Sequence, residues 1–159
     1  MDGTTPLVWP QLGLLYHAAA PVAEALTRVV LGLALVPHGL RFVFGLFPNS
    51  GSRALSLAAL GAGLDAHGYR PGWFWALTIA ALELAGGPLL ALGVFTRPLA
   101  LAAFIFLVMA AIEHWRFDGY FWNVTGLEYP MVWSAGMLFF VVHGGGPYSL
   151  DSWLLGYEF

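Results

Sequence analysis

Long apolar stretches separated by shorter polar links dominate the hydrophobic pattern of the chain. Four such stretches run over about 22–44, 73–94, 98–115 and 127–143. A membrane-spanning helix needs roughly 20 apolar residues, with a range of about 17–25. The second stretch fits this length best, the third is short, and Pro130 interrupts the fourth. The pattern predicts four transmembrane helices.

The links between the stretches indicate how the helices are arranged. The link Thr96-Arg97-Pro98 is so short that spans two and three must be antiparallel neighbours. The link 45–72 is long, and its weakly amphipathic segment 52–64 is too short to span, so we expect it at the membrane interface or partly re-entrant. Pro21 suits the first turn of the first helix. The prediction is an all-α integral membrane four-helix bundle, a single domain over 1–159, with a short interfacial helix between spans one and two.

Composition supports a membrane location and narrows the choice of partners. Hydrophobic residues make up 59% of the 159 positions and charged residues 9%, whereas soluble domains carry about 25% charged residues. The lipid bilayer must therefore replace water over much of the surface. A net charge of -3 without a basic block argues against nucleic acid as a partner. The absence of Cys excludes disulfides and thiolate metal sites within the chain.

Four spans place both termini on one side, here called face A, and the two longer links on the other side, called face B. Face A carries, near its level, Glu24, Arg28, Arg97 and His143. Face B carries many more polar residues, namely His38, Arg41, Arg53, Asp65, His67, Arg70, Glu113, His114, Arg116, Asp118, Asn123 and Glu128. This asymmetry indicates that the functional chemistry lies towards face B.

Several motifs follow one another along the spans in a specific order and spacing. They are Arg28, Gly32 and His38-Gly39-Leu40-Arg41, then Glu83-Leu84-Ala85-Gly86-Gly87 and Gly93-Val94-Phe95-Thr96-Arg97, then Met109 and His114, then Gly126-Leu127-Glu128-Tyr129-Pro130, and finally Gly144-Gly145-Gly146-Pro147-Tyr148-Ser149-Leu150-Asp151. Together they resemble the DoxX family of small four-helix bacterial membrane proteins, across roughly residues 24–151. Arg41 stands where many members carry Lys, which keeps the charge but holds a carboxylate differently.

This resemblance implies a multi-pass protein of the bacterial inner membrane that is associated with redox chemistry. The family takes its name from a subunit associated with thiosulfate:quinone oxidoreduction, so a quinone is the implied ligand and no cofactor is covalently bound. The chain carries no flavin, haem or iron–sulfur motif. If it is an enzyme, it is therefore expected to be a membrane oxidoreductase subunit that receives electrons from a protein partner in a redox complex. Whether it is one stays open, because a shared fold does not transfer a reaction.

Glu83 lies near the middle of span two and therefore near the bilayer midplane. A charged group costs about 2.5–3.5 kcal/mol there on insertion scales. The carboxyl group is then either neutral and hydrogen-bonded between helices, or a functional group that exchanges protons or binds a ligand. Both interpretations place it inside the bundle, where Gly86 and Gly87 allow close helix approach.

Candidate ligand-binding residues on face B come from three span ends. They are His38 and Arg41 in span one, Glu113 and His114 in span three, and Glu128 and Tyr129 in span four. His and carboxylate groups suit zinc or iron, but the spacing matches no defined metal motif. These face B residues then form either a polar network that closes the bundle or a site for a small anion or quinone head group. In the second case His114 and Glu83 are the catalytic residues.

Arg28 is the candidate ligand-binding residue near face A. It lies four residues after Glu24, so the two share a helical face. Arg28 is therefore either half of an ion pair that anchors the helix or a site for an anion.

Two functions remain open at this point. The first is a membrane subunit of a redox system that binds a quinone or a small sulfur anion in a polar pocket between helices. The second is a non-enzymatic scaffold that recruits or stabilises a partner protein, with the polar groups as an interhelical lock. Transport of a small molecule is less favoured, because four spans are few and no internal repeat is evident.

Overall fold

The computed structural model describes residues 7–50, 54–157 and 159, and this part of the chain is helical without strands. Its helices are α1 (Gly13–Phe44), α2 (Leu57–Ala66), α3 (Gly72–Leu92), α4 (Thr96–Phe117), α5 (Glu128–His143) and α6 (Leu150–Leu155). Three of them, α1, α3 and α4, are long and apolar enough to cross a membrane. The predicted all-α membrane fold is confirmed.

The first helix is longer than its apolar pattern suggested. The expectation that Pro21 opens it is wrong, because α1 begins at Gly13 and Pro21 lies inside it. An internal proline removes one helical hydrogen bond, and the Ala18–Ala20 run beside it favours helix strongly enough to tolerate the loss. With a preceding 3₁₀ turn the segment Pro10–Phe44 has 35 residues, about 50 Å at 1.5 Å per residue. The hydrocarbon core is about 30 Å thick, so α1 is long enough to span it with a tilt.

The other helices lie close to their predicted positions. α5 (Glu128–His143) is 16 residues long, which is about 24 Å and the shortest of the four bundle helices. Pro130 does not break it, because Pro130 lies in the first turn, where backbone N–H groups have no helical acceptor. The short helix predicted over 52–64 is found as α2, where the Ser56 hydroxyl accepts a hydrogen bond from Ala59 N at 3.1 Å; its interfacial location stays a prediction. Arg53 falls outside the described residues.

The bundle is built from two closely packed helix pairs, α1 with α3 and α4 with α5. In the first pair the backbones nearly touch, since a Cβ atom on Gly32 would lie 2.5 Å from the carbonyl oxygen of Gly87. In the second pair, fully buried Ala100 and Ala103 let α5 approach α4. The shared core consists of Leu35, Leu90, Ala100, Ala103, Leu107, Met137 and Phe140.

Candidate functional site

A π-helical turn interrupts α3 and carries Glu83. The turn covers Leu82–Gly86, and Gly87 N donates to Leu82 O across five residues. Pro88 follows directly, and a proline has no N–H to give to the carbonyl four residues earlier and would clash with it. Widening the turn by one residue relieves that conflict, and such turns are frequent at functional sites.

Glu83 faces the interior, as predicted. Its side chain is 2% exposed, and no described residue gives its Oε2 atom a hydrogen bond. The α1 backbone passes close by, because a Cβ atom on Gly39 would lie 3.0 Å from Glu83 Cβ. Burial of a polar atom without a partner costs free energy. The Oε2 atom is therefore an unsatisfied hydrogen-bond acceptor inside the bundle.

Arg41 and His38 lie on α1 next to this carboxyl group. The charges of Arg41 and Glu83 interact electrostatically. Arg41 Nη1 donates to Ser50 Oγ at 3.4 Å, and its guanidinium lies 4.5 Å from the centre of the Phe42 ring. Its Nε atom is buried and has no hydrogen-bond partner among the described residues. Two complementary groups, a donor on Arg41 and an acceptor on Glu83, are thus both left unused.

His38 connects this group to the second helix pair. Its ring meets the Trp133 ring of α5 edge-on, with 6.0 Å between the ring centres. His38, Arg41 and Glu83 lie where α1 and α3 approach each other at Gly39, and we call these three residues the Glu83 group.

Glu113, at the end of α4, gathers a second polar group around itself. Its Oε1 atom accepts hydrogen bonds from Tyr69 Oη at 2.8 Å and from Arg116 Nη1 at 3.4 Å. Its Oε2 atom lies 2.8 Å from His67 Nδ1, an ion pair when the imidazole is protonated. Burial raises the pKa of the Tyr69 phenol, and the hydrogen bond to Glu113 raises it further. The Glu113 group thus ties the link between α2 and α3 to α4.

The remaining face B candidates are held by neighbours close in the chain. His114 Nδ1 lies 3.2 Å from Asp118 Oδ2, and Glu128 Oε2 accepts from Trp122 N at 3.1 Å. Tyr129 is 53% exposed and packs its ring against Trp122. These residues thus have separate local partners, and the predicted single pocket mouth stays a prediction.

Over the described part of the chain, no hydrogen bond or ion pair joins His38 or Arg41 to Glu113, His114 or Glu128. His114 and Glu128 are engaged by residues four to six positions away, and Glu113 by the link between α2 and α3. The same described residues contain no group of three or more His, Cys, Asp or Glu side chains placed to hold a metal ion.

Arg28 lies on α1 towards face A and is 2% exposed. Its guanidinium donates to the carbonyl oxygens of Ala91, Gly145 and Tyr148. Its predicted neighbour Glu24 instead lies 3.2 Å from His143 Nε2. Arg28 therefore fastens α1 to the end of α3 and to the segment that follows α5.

Sequence reasoning missed the polar residues that complete this end. Asp151 is buried, its Oδ2 atom accepts from Thr96 N at 3.3 Å, and its own N–H donates to Gly93 O at 3.0 Å. Ser149 caps α6 by accepting from Ser152 N at 3.2 Å. The sequence did contain a signal for them. In the motif from Gly144 to Asp151 a glycine run is followed by Ser149, and serine is a preferred helix N-cap.

Comparison with known proteins gives one family. A family model described as DoxX matches residues 23–115, which include α3, most of α1 and α4, and the whole Glu83 group. No curated protein and no solved structure matches the chain.

Proposed function

The chain belongs to the DoxX family, and from that premise we propose that it is a membrane subunit of a redox system that binds a quinone head group at the Glu83 group. It works in the bacterial inner membrane with a protein partner that supplies the electrons. The chain supplies the binding site and a proton-carrying carboxyl group.

One observation carries this proposal: the buried Oε2 atom of Glu83 and the buried Nε atom of Arg41 both lack a hydrogen-bond partner among the described residues. A quinone oxygen accepts hydrogen bonds and therefore suits the Arg41 N–H. The quinol hydroxyl donates hydrogen bonds and therefore suits the Glu83 carboxyl oxygen. A small sulfur anion satisfies Arg41 but offers no hydrogen-bond donor to the Glu83 carboxyl oxygen, whereas a quinol does, so the pair favours the quinone.

The proton balance fits the same assignment. Reduction of a quinone to a quinol takes two electrons and two protons, and both electrons come from the partner. Glu83 in its neutral form can give one proton to a quinone oxygen and recover it from the face B side, and the second proton comes from water on the same side. His38, next to Gly39 and one turn before Arg41 on α1, is the titratable group of α1 at the level of Glu83.

A quinone analogue with a shortened tail tests the binding step. The full chain in lipid nanodiscs is titrated with the analogue, and quenching of tryptophan fluorescence is followed. We expect saturable quenching, and we expect Arg41→Gln to weaken binding about tenfold to a hundredfold, the range for a hydrogen bond to a charged group.

Arg70→Gln is the matched control for this titration, because Arg70 is exposed at the same end of the bundle and the variant makes the same charge change. Its affinity should equal that of the unchanged chain. Equal affinities for Arg41→Gln and Arg70→Gln, or quenching that does not saturate, would contradict the proposal.

The scaffold function remains the second candidate, and one observation favours it. Glu113 on α4 is held by Tyr69 and His67 from the link before α3, as an interhelical lock would be. Purification in a mild detergent separates the two functions. A stoichiometric protein partner that copurifies without any quinone supports the scaffold, and bound quinone supports the redox subunit.

A further inference from the structure

A groove of about 350 Å³ opens between α1 and α5 near face A. Its lining residues are Ala23, Glu24, Thr27, Gly136 and Phe139. The groove exists because the two helix pairs meet less closely here, and because three of its five lining residues are small. Ligand sites in proteins span about 300–1,000 Å³, so the groove is large enough for part of a ligand.

The position of the groove defines the class of ligand that reaches it. Both of its walls are helices of the membrane bundle, and its lining is apolar except at Glu24 and Thr27. The Thr27 hydroxyl donates to the carbonyl oxygen of Ala23 at 2.8 Å, so it is engaged within its own helix. A lipid chain from the surrounding bilayer is the apolar group that can enter sideways along Ala23 and Gly136.

Glu24 gives the groove a polar end. Its side chain is 23% exposed, and its Oε1 atom lies 3.2 Å from His143 Nε2. The His143 ring stacks on Phe139 with 4.7 Å between the ring centres, which keeps the imidazole beside the carboxylate and at the groove. An ionised carboxylate only accepts hydrogen bonds, so it matches a head group that carries positive charge and N–H donors.

We propose that this groove binds one phospholipid with a primary-amine head group. Its acyl chain lies along Ala23 and Gly136, and its ammonium group pairs with Glu24. The site is separate from the Glu83 group, since Gly39, which contacts Glu83, lies three helical turns further along α1 than Thr27. The proposal therefore does not depend on the quinone site.

Native mass spectrometry of the full chain tests the head-group chemistry. The protein is released from detergent after equilibration with phosphatidylethanolamine and phosphatidylglycerol of identical acyl chains, which differ in the ammonium group. We expect one retained phosphatidylethanolamine and a preference of about fivefold, the upper range for a partly exposed ion pair. Glu24→Gln should remove the preference while leaving the protein folded.

The chain-binding part of the groove is tested with a pair of neighbouring variants. Ala23→Phe places a ring in the groove, whereas Val22→Phe places the same ring on an exposed position of the same turn that does not line it. Ala23→Phe should lose the retained lipid and Val22→Phe should keep it. Equal retention in both variants, no preference between the two lipids, or recovery of a quinone from the groove in place of a phospholipid would overturn the proposal.

Discussion

The environment of Glu83 is not the one expected for a residue with a purely structural role. Its carboxyl group is buried in a membrane helix, and one oxygen has no partner in the described part of the chain. An unsatisfied buried acceptor costs about 1–3 kcal/mol. Proteins tolerate such a cost mainly where activity requires it. The unfavourable burial of Glu83 therefore supports the proposed proton transfer.

Replacement of Glu83 by Met should therefore stabilise the protein while it removes proton-coupled activity. The flexible apolar side chain fills a similar space, and the free energy of unfolding should rise by about 1–3 kcal/mol as the unsatisfied acceptor is lost. Unfolding in mixed micelles of increasing dodecyl sulfate measures the change. Leu84→Met, at the next position, should change stability by less than about 1.5 kcal/mol. A loss of stability in Glu83→Met would mean that the carboxyl group is a structural lock.

Tyr69 should ionise at a higher pH than an ordinary tyrosine. Burial and the hydrogen bond to Glu113 raise the pKa of its phenol above the usual value of about 10. The stabilisation that this shift represents is complete below that usual value, and it is lost as the pH rises through the raised pKa. Absorbance at alkaline pH, taken as the difference between the unchanged chain and Tyr69→Phe, isolates this phenol.

Glu113→Gln is the informative partner variant for that titration, because it removes the negative charge next to the phenol. The pKa of Tyr69 should then fall but stay above the ordinary value, since burial is the larger cause. No change in Glu113→Gln would contradict the hydrogen bond.

At the scale of single residues, the sequence predicted where a side chain lies better than it predicted which residues that side chain contacts. The inward position of Glu83 followed from the cost of a charge in lipid, and the structure confirms it. The partners of Glu113 did not follow, because Tyr69 lies 44 positions away and meets it only after the link between α2 and α3 has folded. Arg28 was assigned to Glu24 by helical spacing, whereas the fold offers it three backbone carbonyls from two other segments.

Among the helices, the contact between α1 and α3 depends on glycine at two facing positions. A Cβ atom on Gly87 would lie 2.6 Å from the Gly32 carbonyl oxygen, and backbone atoms cannot move aside as a flexible side chain can. Gly87→Ala should therefore lower the free energy of unfolding by about 1–3 kcal/mol, the usual cost of overpacking.

Gly63→Ala, inside α2, is the control for that variant. Open space surrounds the Cβ position at Gly63, and alanine favours helix over glycine by roughly 0.5–1 kcal/mol, so this variant should match or exceed the stability of the unchanged chain. Both are compared by dodecyl sulfate unfolding. A stability for Gly87→Ala equal to that of Gly63→Ala would show that the two backbones are not in contact.

Helix positions were predictable because an apolar run longer than about 17 residues has few alternatives in a membrane. Helix ends were less predictable. The apolar pattern of α1 fades at Pro21, but local helix preference continues the helix back to Gly13. The π turn in α3 was not predicted, because a proline inside a helix can be accommodated by a kink, a break or a widened turn, and the apolar pattern does not distinguish these.

For the whole molecule, the end at face A is held together by Arg28. It joins α1 to the end of α3 and to the segment between α5 and α6, so it links the two helix pairs. Arg28→Gln should leave buried carbonyl groups without donors and lower the free energy of unfolding by about 1–3 kcal/mol.

Hydrogen exchange locates that loss. The amide of Asp151, which donates to Gly93 O, should exchange faster in Arg28→Gln, whereas amides in the middle of α4 should be less affected. Arg70→Gln serves as the control. Unchanged protection of Asp151 in Arg28→Gln would mean that the terminal segment is held without Arg28.

The π turn affects how related sequences align with this chain and what a deletion in α3 would do. Because Leu82–Gly86 accommodates one residue more than an α-helical turn, the halves of α3 on either side of it are out of phase by about 100°. Deleting one residue there would restore a continuous helix and rotate Glu83 relative to Gly87. A relative that lacks this residue should therefore show a single-position gap at the turn, and we expect it to have lost an inward-facing acid at this depth.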